Sequence, residues 1–312
     1  KTAPTAVSKA GILSGKTIGK LIPGNYRYNG CMDTEGNTYF WGNNTYGNYG
    51  TGNVVWDRFP LVTGATMIPT IEMMEKVCYG ITHALGIYNG EVWAWGRNDY
   101  CQLGNNDATG ATQTRPVKVL QESGVLLGKR VTDISTCDDS SACIAEGVVY
   151  SWGRNNYGQL GNGDATLASQ IKPVAVNTAG ALSGKTLVKL GGCTRGHVTV
   201  LDSDGVMYSW GLNNYGQCGD GTEDTDRISP VAVNTAGVLS GKTITDISTG
   251  YYHSLALDSD GKVYSWGLNA NGQLGDNSTT QRNSPVAVNT AGVLSGKTVT
   301  DIRCGGTYSY CL

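Results

Sequence analysis

Three histidines could ligate a metal ion, and all three occupy the same position of a repeating pattern. They are His83, His197 and His253. If the repeats close into a ring, equivalent positions lie on a circle about its axis, and imidazole nitrogens there could bind zinc. Only His197 and His253 belong to neighbouring repeats, however. The sequence therefore favours a structural role, with each ring hydrogen-bonded by backbone at the start of an inner strand.

Two short motifs also resemble ligand sites. SGKT at 14–17, 183–186, 240–243 and 295–298 resembles the end of a phosphate-binding loop, but that loop needs four residues between its glycines and opens a helix. Here three residues separate the glycines and a strand follows. DSDG at 202–205 and 258–261 supplies two carboxylates, whereas calcium needs about six oxygens. Both motifs are interpreted as turns. With no HExxH or GxSxG either, the sequence predicts no enzyme activity, cofactor or metal.

The cysteines bear on the compartment. The chain has nine, and none forms a CxxC pair. Cys137 with Cys143, and Cys304 with Cys311, each flank an expected tight hairpin, so these are the candidate disulfides; buried free thiols are the alternative, and Cys101 fits it well. Two glycosylation sequons begin at Asn43 and Asn277. Together these features favour an extracellular or cell-surface protein, with a cytoplasmic or nuclear location as the alternative.

Charge and hydropathy exclude two classes of partner. The formal net charge is −2, whereas a surface that neutralises many phosphates needs a clear basic excess. No apolar run reaches the roughly 18 residues that cross a bilayer. The sequence therefore predicts no nucleic-acid partner and no membrane span.

A repeat of about 56 residues organises the whole chain. Trp-Gly recurs at 41, 95, 152, 210 and 266, a GQLG-like tetrad begins six residues after each Trp, and a proline follows. Within one unit, the alternating apolar and polar pattern of a strand occurs at 243–248, 253–257 and 262–266. An Asx-Gly hairpin signal joins the last two strands. A fourth strand is expected at 285–288, with Pro285 at its start. Four short antiparallel strands per unit predict an all-β propeller in a single domain. Its units start near 4, 60, 116, 173, 230 and 285.

The segment VYSWGLNANGQLGDN at 263–277, after HSLALDSDG at 253–261, closely resembles the regulator-of-chromosome-condensation repeat. The resemblance covers essentially the whole chain. It implies a circular propeller, most often of seven blades, and it raises guanine-nucleotide exchange on a Ran-like GTPase as an alternative function. The loops and the basic extension of members with that activity have no match here. Secreted enzyme inhibition, as in similar propellers that block β-lactamases, is a further alternative.

The repeat count departs from seven. Pro4 aligns with Pro285 and Leu312 with Leu257, so the chain holds five complete units and one partial unit. Three interpretations stay open: a piece of a longer array, with seven blades possible; a six-bladed ring with one thin blade; or strands supplied by a neighbouring molecule through an open blade edge.

Departures from the repeat suggest where a partner binds. The segments between tetrad and proline vary most and should share one face, and the stretch 54–76 diverges further with large apolar side chains. We therefore predict a non-catalytic scaffold for protein binding or structural assembly, acting through the loop face or an open edge. The candidate partner-binding residues are Trp56, Arg58, Phe59, Met67, Met73, Arg115, Asp224, Arg227 and Arg282.

Overall fold

The structure is a computed structural model that describes residues 15–22, 28–34, 38–42, 57–62, 74–120, 124–164, 166–192, 195–291 and 294–312. These residues form five four-stranded antiparallel sheets, here blades 1 to 5, and one two-stranded sheet, here half-blade 6. In each blade the strands are hydrogen-bonded in chain order. No helix of the described part is long and apolar enough to cross a membrane.

The strands have the following bounds. Blade 1 contains β1 (Ile18–Ile22), β2 (Tyr28–Asp33), β3 (Thr38–Gly42) and β4 (Asp57–Val62). Blade 2 contains β5 (Lys76–Tyr79), β6 (His83–Tyr88), β7 (Glu91–Gly96) and β8 (Gln113–Lys118). Blade 3 contains β9 (Val131–Thr136), β10 (Ser140–Ala145), β11 (Val148–Gly153) and β12 (Gln170–Ala175). Blade 4 contains β13 (Leu187–Leu190), β14 (His197–Asp202), β15 (Met207–Gly211) and β16 (Arg227–Ala232). Blade 5 contains β17 (Ile244–Thr249), β18 (His253–Asp258), β19 (Val263–Gly267) and β20 (Arg282–Ala287), and half-blade 6 contains β21 (Ile302–Cys304) and β22 (Ser309–Cys311).

The DSDG motifs form hairpin turns, as the sequence predicts. Gly205 and Gly261 have φ of +80° and +72°, a conformation that side chains disfavour. Asp202 closes its turn by accepting the amides of Asp204 and Val206 at 2.9 and 2.8 Å. The Oδ1 atom is therefore occupied by amides of its own turn, and Oδ2 accepts from the Tyr208 hydroxyl at 3.0 Å.

The fourth strand is where the predicted boundaries fail. β17, β18 and β19 match their predicted ranges within about one residue. β20 instead begins at Arg282, so Pro285 lies inside the strand. This is tolerated because β20 pairs only with β19 and its register shifts between the partners of Ser265 and Gly267. A proline on an outer strand removes no hydrogen bond from a second neighbour.

Neighbouring blades stack with their first strands side by side, because β9 contacts both β5 and β13, and β17 contacts both β13 and β21. Each interface between successive blades from 2 to 5 holds an apolar cluster with one fully buried Trp-Gly tryptophan: Trp152, Trp210 or Trp266. The Trp210 indole nitrogen donates to the Gln159 carbonyl of the preceding blade at 2.9 Å. A Cβ on Gly161 would lie 2.6 Å from that nitrogen. The tryptophan and the tetrad glycine therefore form one inter-blade joint.

Charged side chains on the first strands also join the blades. Lys76 pairs with Asp133 across blades 2 and 3. Lys189 pairs with Asp246 at 2.5 Å across blades 4 and 5, and Arg303 approaches Asp246 to 3.7 Å from half-blade 6. Opposite charges thus face each other between blades 2 and 3, between blades 4 and 5, and between blade 5 and half-blade 6.

Both predicted disulfides are wrong, because Cys143, Cys304 and Cys311 are free thiols. Cys143 packs in the cluster between blades 2 and 3, whereas Cys137 packs in the one between blades 3 and 4. Cys304 lies opposite Ser309, so Cys311 is a diagonal neighbour at about 7–8 Å. That distance exceeds the span of a disulfide.

Candidate protein-binding face

The strand directions sort the connections onto two faces. Because successive strands are antiparallel, the connections after the first and third strands of every blade emerge together. We call this side the loop face and the opposite side the turn face. The variable segments between tetrad and proline start in the third connection, so they belong to the loop face.

An arginine and tyrosine stack lies on the loop face of blades 2 and 3. The guanidinium carbon of Arg154 lies 4.7 Å from the centre of the Tyr100 ring, and that of Arg97 lies 5.7 Å from it. Both arginines also reach Asp139: Arg154 Nη1 is 3.1 Å from Oδ2, and Arg97 Nη1 is 3.7 Å from Oδ1. The tyrosine face and the carboxylate therefore hold both guanidinium groups in place.

A second stack lies on blades 4 and 5. The guanidinium carbon of Arg195 is 5.6 Å from the Tyr251 ring centre and 5.5 Å from that of Tyr252. Tyr252 packs edge-to-face on Tyr215, with ring centres 5.1 Å apart. Arg195 is exposed, and it makes no hydrogen bond or ion pair within the described ranges.

A polar cavity of about 280 Å³ lies between the two stacks. We call it the arginine–tyrosine cavity. Burial and the neighbouring Asp139 carboxylate raise the pKa of Asp138, while Arg195, Arg154 and Arg97 oppose that rise. The lining residues come from blades 3, 4 and 5 and include Asp138, Asp139, Arg154, Tyr157, Arg195 and Tyr252.

Two unsatisfied polar atoms belong to residues that line this cavity. Asp139 is only 8% exposed, and its Oδ1 accepts no hydrogen bond from the described residues. The Nε of Arg154 is also buried and donates to none of them. Buried polar atoms normally find partners, so the cavity is suited to a polar ligand or to ordered water.

The predicted partner-binding residues are spread more widely. Arg115 is exposed on β8 and Asp224 is exposed in a connection with φ of +60°. Arg227 and Arg282 are bound within their own blades, to Asp220 at 2.6 Å and to Asp276 at 2.9 Å. None of these four lines the arginine–tyrosine cavity.

The other predicted residues fall in or beside the least described part of the chain. Arg58 and Phe59 lie on β4. Of the sequons, Asn277 is exposed on the loop face. The remaining residues lie outside the described ranges: Trp56, Met67, Met73 and Asn43.

Sequence reasoning missed the arginine–tyrosine cavity, although it left a signal. The residue after Trp-Gly is Arg97 in blade 2 and Arg154 in blade 3, but Leu212 and Leu268 in the next two. This is a departure from the repeat, of the kind that marks function. Arg195 gave no such signal because its partners come from the next blade.

The histidines form hydrogen bonds between neighbouring blades. His83 Nε2 lies 2.8 Å from Ser141 Oγ, His197 Nε2 lies 3.0 Å from Ser254 Oγ, and His253 bonds the corresponding serine of half-blade 6. The predicted structural role is therefore right, but the acceptor is a side chain of the next blade and the strand is the second, not the innermost. No cluster of three metal-ligating side chains occurs within the described ranges.

Each serine relays the contact to the tetrad of the preceding blade. Ser141 Oγ donates to the Gln102 carbonyl at 2.7 Å, so His83 must donate its Nε2 proton to that hydroxyl. Burial lowers the pKa of His83 and His197 to about 3 and that of His253 to about 4. All three rings are therefore neutral at pH 7. We call each contact a histidine clasp.

The blades define a β-propeller, and comparison with known sequences identifies its family. The profile of the regulator of chromosome condensation (RCC1) repeat matches residues 89–144, 146–192, 204–257 and 260–312, and a second RCC1 repeat profile matches 188–217 and 244–273. These matches cover more than half of the chain. The protein belongs to the RCC1 repeat family.

Two relatives show how much of a larger protein this chain resembles. It is 31% identical over 282 residues to the human E3 ubiquitin-protein ligase HERC2, covering 89% of this chain and 5% of the relative. It is 32% identical over 252 residues to the Arabidopsis thaliana ultraviolet-B receptor UVR8, covering 80% of this chain and 53% of the relative. The chain thus spans about half of one relative and a small part of the other.

Solved structures confirm the propeller fold. Human WBSCR16 aligns with a TM-score of 0.76 at 21% identity, over 92% of this chain and 70% of that one. Prp20p from Saccharomyces cerevisiae aligns with a TM-score of 0.74 at 19% identity, over 96% of this chain and 69% of that one. These matches show that the chain shares the propeller fold of both structures.

Proposed function

We propose that this chain is a non-catalytic propeller whose loop face binds a protein partner at the arginine–tyrosine cavity. The observation that carries the proposal is the pair of arginine and tyrosine stacks around a buried, incompletely hydrogen-bonded Asp139. Tyrosine and arginine are enriched at the energetic centres of protein interfaces. The rigid blades beneath hold these side chains in place before binding, which lowers the entropy lost on association.

The test is a quantitative capture experiment with three immobilised proteins. These are the wild type, a loop-face double variant, Arg195→Ala with Tyr252→Ala, and a turn-face control, Val238→Ser. Val238 is 41% exposed, so the control alters a surface side chain away from the cavity. We expect wild type and control to retain the same partner and the double variant to lose at least about 90% of it, about 1.4 kcal/mol or more. Equal retention by all three proteins would place the partner site elsewhere.

Guanine-nucleotide exchange is the second candidate, because the Prp20p structure is described with binding to Gsp1p. Its test is the release of a fluorescent nucleotide from a Ran-like GTPase in the presence of this chain. Acceleration that requires loop-face residues would replace the scaffold proposal. An unchanged release rate with retained partner binding would favour the scaffold.

We also propose an extracellular or cell-surface location, which rests on the nine cysteines and the two sequons. Of these, Asn277 is exposed on the loop face and accessible to glycosylation. Denatured, non-reduced protein from the source cells should titrate fewer than nine thiols. Nine free thiols and no glycan at Asn277 would favour the cytoplasm or nucleus instead.

Structural assembly is a further form of the same scaffold proposal. β22 pairs with β21 and with no other described strand, and an open strand edge can pair with another chain. Sedimentation over a range of protein concentrations tests this directly. A mass that stays at one protomer at every concentration would exclude self-association.

A further inference from the structure

The polar groups of the arginine–tyrosine cavity are unevenly matched. Arg195 offers five guanidinium N–H donors. It lies against the rings of Tyr251 and Tyr252 and donates no hydrogen bond within the described ranges. The buried Arg154 Nε adds a sixth donor that has no acceptor among the described residues. Against these stand Asp139 Oδ1, which already faces Arg97 Nη1 at 3.7 Å, and the carboxyl group of Asp138. Donors therefore exceed acceptors.

The geometry of the two guanidinium groups selects among acceptors. The guanidinium carbon of Arg154 lies 4.7 Å from the Tyr100 ring centre, and that of Arg195 lies 5.6 Å from the Tyr251 ring centre. A guanidinium group held by a ring through a cation–π contact can still donate hydrogen bonds from N–H groups in its own plane. These N–H groups match the two oxygens of a carboxylate, which arginine binds through parallel hydrogen bonds. Tyr157 and Tyr252 line the same cavity and can cover the methylene groups of a ligand side chain.

We propose that the cavity binds a glutamate or aspartate side chain of the protein partner, with its carboxylate between Arg195 and Arg154. The proposal rests on the proposed function and names the chemistry of that same site. Asp138 fits this role, because its raised pKa lets it take up a proton more readily than an exposed aspartate when a second carboxylate arrives. A protonated Asp138 would then add a donor.

The experiment is an NMR titration of the whole chain, observing the arginine Nε–H resonances. The probes are the blocked peptide Ac-Gly-Glu-Gly-NH₂ and its neutral counterpart Ac-Gly-Gln-Gly-NH₂ at equal ionic strength. We expect saturable shifts at Arg154 and Arg195 with the glutamate peptide, and about tenfold weaker binding of the glutamine peptide. Equal affinity for both peptides would overturn the proposal.

Variants separate this site from non-specific attraction. Arg195→Gln should weaken the glutamate peptide about tenfold, and Arg195→Lys should restore only part of that loss because lysine lacks the planar fork. Arg130→Gln is the matched control, since Arg130 precedes β9 on the turn face and is 73% exposed. Arg195 is itself exposed and makes no hydrogen bond or ion pair within the described ranges, so its variants should fold. Loss of binding in the control as well would show bulk electrostatic attraction and overturn the proposal.

The peptide titration and the capture experiment can fail independently of each other. If the capture experiment succeeds and the peptide titration fails, the loop face binds a partner through other chemistry. If the titration succeeds and no protein is captured, the carboxylate site stands and the scaffold proposal falls.

Discussion

The joint between each tetrad glycine and the next tryptophan can be tested by one added methyl group. In Gly161→Ala the new Cβ would lie 2.6 Å from the Trp210 indole nitrogen. Real Cβ contacts are not that short, so the indole must move. Trp210 is fully buried and its Nε1 donates to Gln159. Movement therefore disturbs both the packing and that hydrogen bond.

The matched control is Gly184→Ala. Gly161 and Gly184 have similar φ angles, +60° and +70°, so alanine suffers the same backbone strain of about 1–2 kcal/mol at either site. A Cβ on Gly184 meets nothing within 4 Å. The difference between the two variants therefore isolates the collision with the indole.

The expected magnitudes follow from the contacts. Overpacking a close-packed core costs about 1–3 kcal/mol, and weakening a buried hydrogen bond adds about 1 kcal/mol. Gly161→Ala should therefore lower the free energy of unfolding by about 2–4 kcal/mol more than Gly184→Ala. Urea unfolding followed by tryptophan fluorescence and circular dichroism gives both values. If the two variants differ by less than about 0.5 kcal/mol, the joint does not hold the blades together as we infer.

Other predictions concern the contacts between blades. The folded histidines have pKa values far below the ordinary 6.5, so between pH 6.5 and pH 5 only the unfolded chain takes up protons at these residues. The free energy of unfolding should therefore fall as the pH drops below about 6.5, by about 2 kcal/mol per histidine at pH 5. Urea midpoints measured across this range test the sign, and a rise in stability at low pH would contradict it. Ser254→Ala leaves the buried His197 Nε2 without its acceptor and should cost about 1–3 kcal/mol, with Ser259→Ala on the turn-face hairpin as control. Lys189→Ala removes a partly exposed ion pair and should cost no more than about 1 kcal/mol, less at high salt; an effect that persists in 1 M salt would point to packing instead.

The sequence predicts the parts of the fold that depend on local pattern. Alternation locates β17, β18 and β19, and Asx-Gly locates their hairpins, because strand pairing and turn conformation depend on nearby residues. The start of β20 differs from the prediction because proline indicates an outer strand but does not fix the residue at which that strand begins. An edge strand accepts proline at several positions.

Contacts between blades are harder to predict, because they join residues about 57 positions apart. The histidine clasps were nevertheless within reach. Where one unit has a histidine at this position, as at His83, His197 and His253, the next unit has a serine one residue after the equivalent position. Where the unit has Ser140 instead, the next unit has Val198 there. The arginine–tyrosine cavity could not be predicted from the sequence, since its lining comes from three blades whose relative positions must be known first.

The disulfide prediction failed for a different reason. It used proximity along the chain, whereas side chains on a strand alternate between the two faces of the blade. Cys137 and Cys143 enter different apolar clusters. The number of residues between two cysteines does not show on which face of the blade each side chain lies when a loop separates them.

The ion pairs along the first strands have a consequence for how the array assembles. Units of nearly the same sequence, such as 230–247 and 285–302, can exchange places during folding, which is a common failure of repeat proteins. Lys76 meets Asp133, and Lys189 meets Asp246. A chain that omitted blade 4 would bring Asp133 against Asp246, and repulsion would oppose that arrangement. The alternation of lysine and aspartate on the first strands of blades 2 to 5 thus disfavours contact between blades that are two positions apart in the chain.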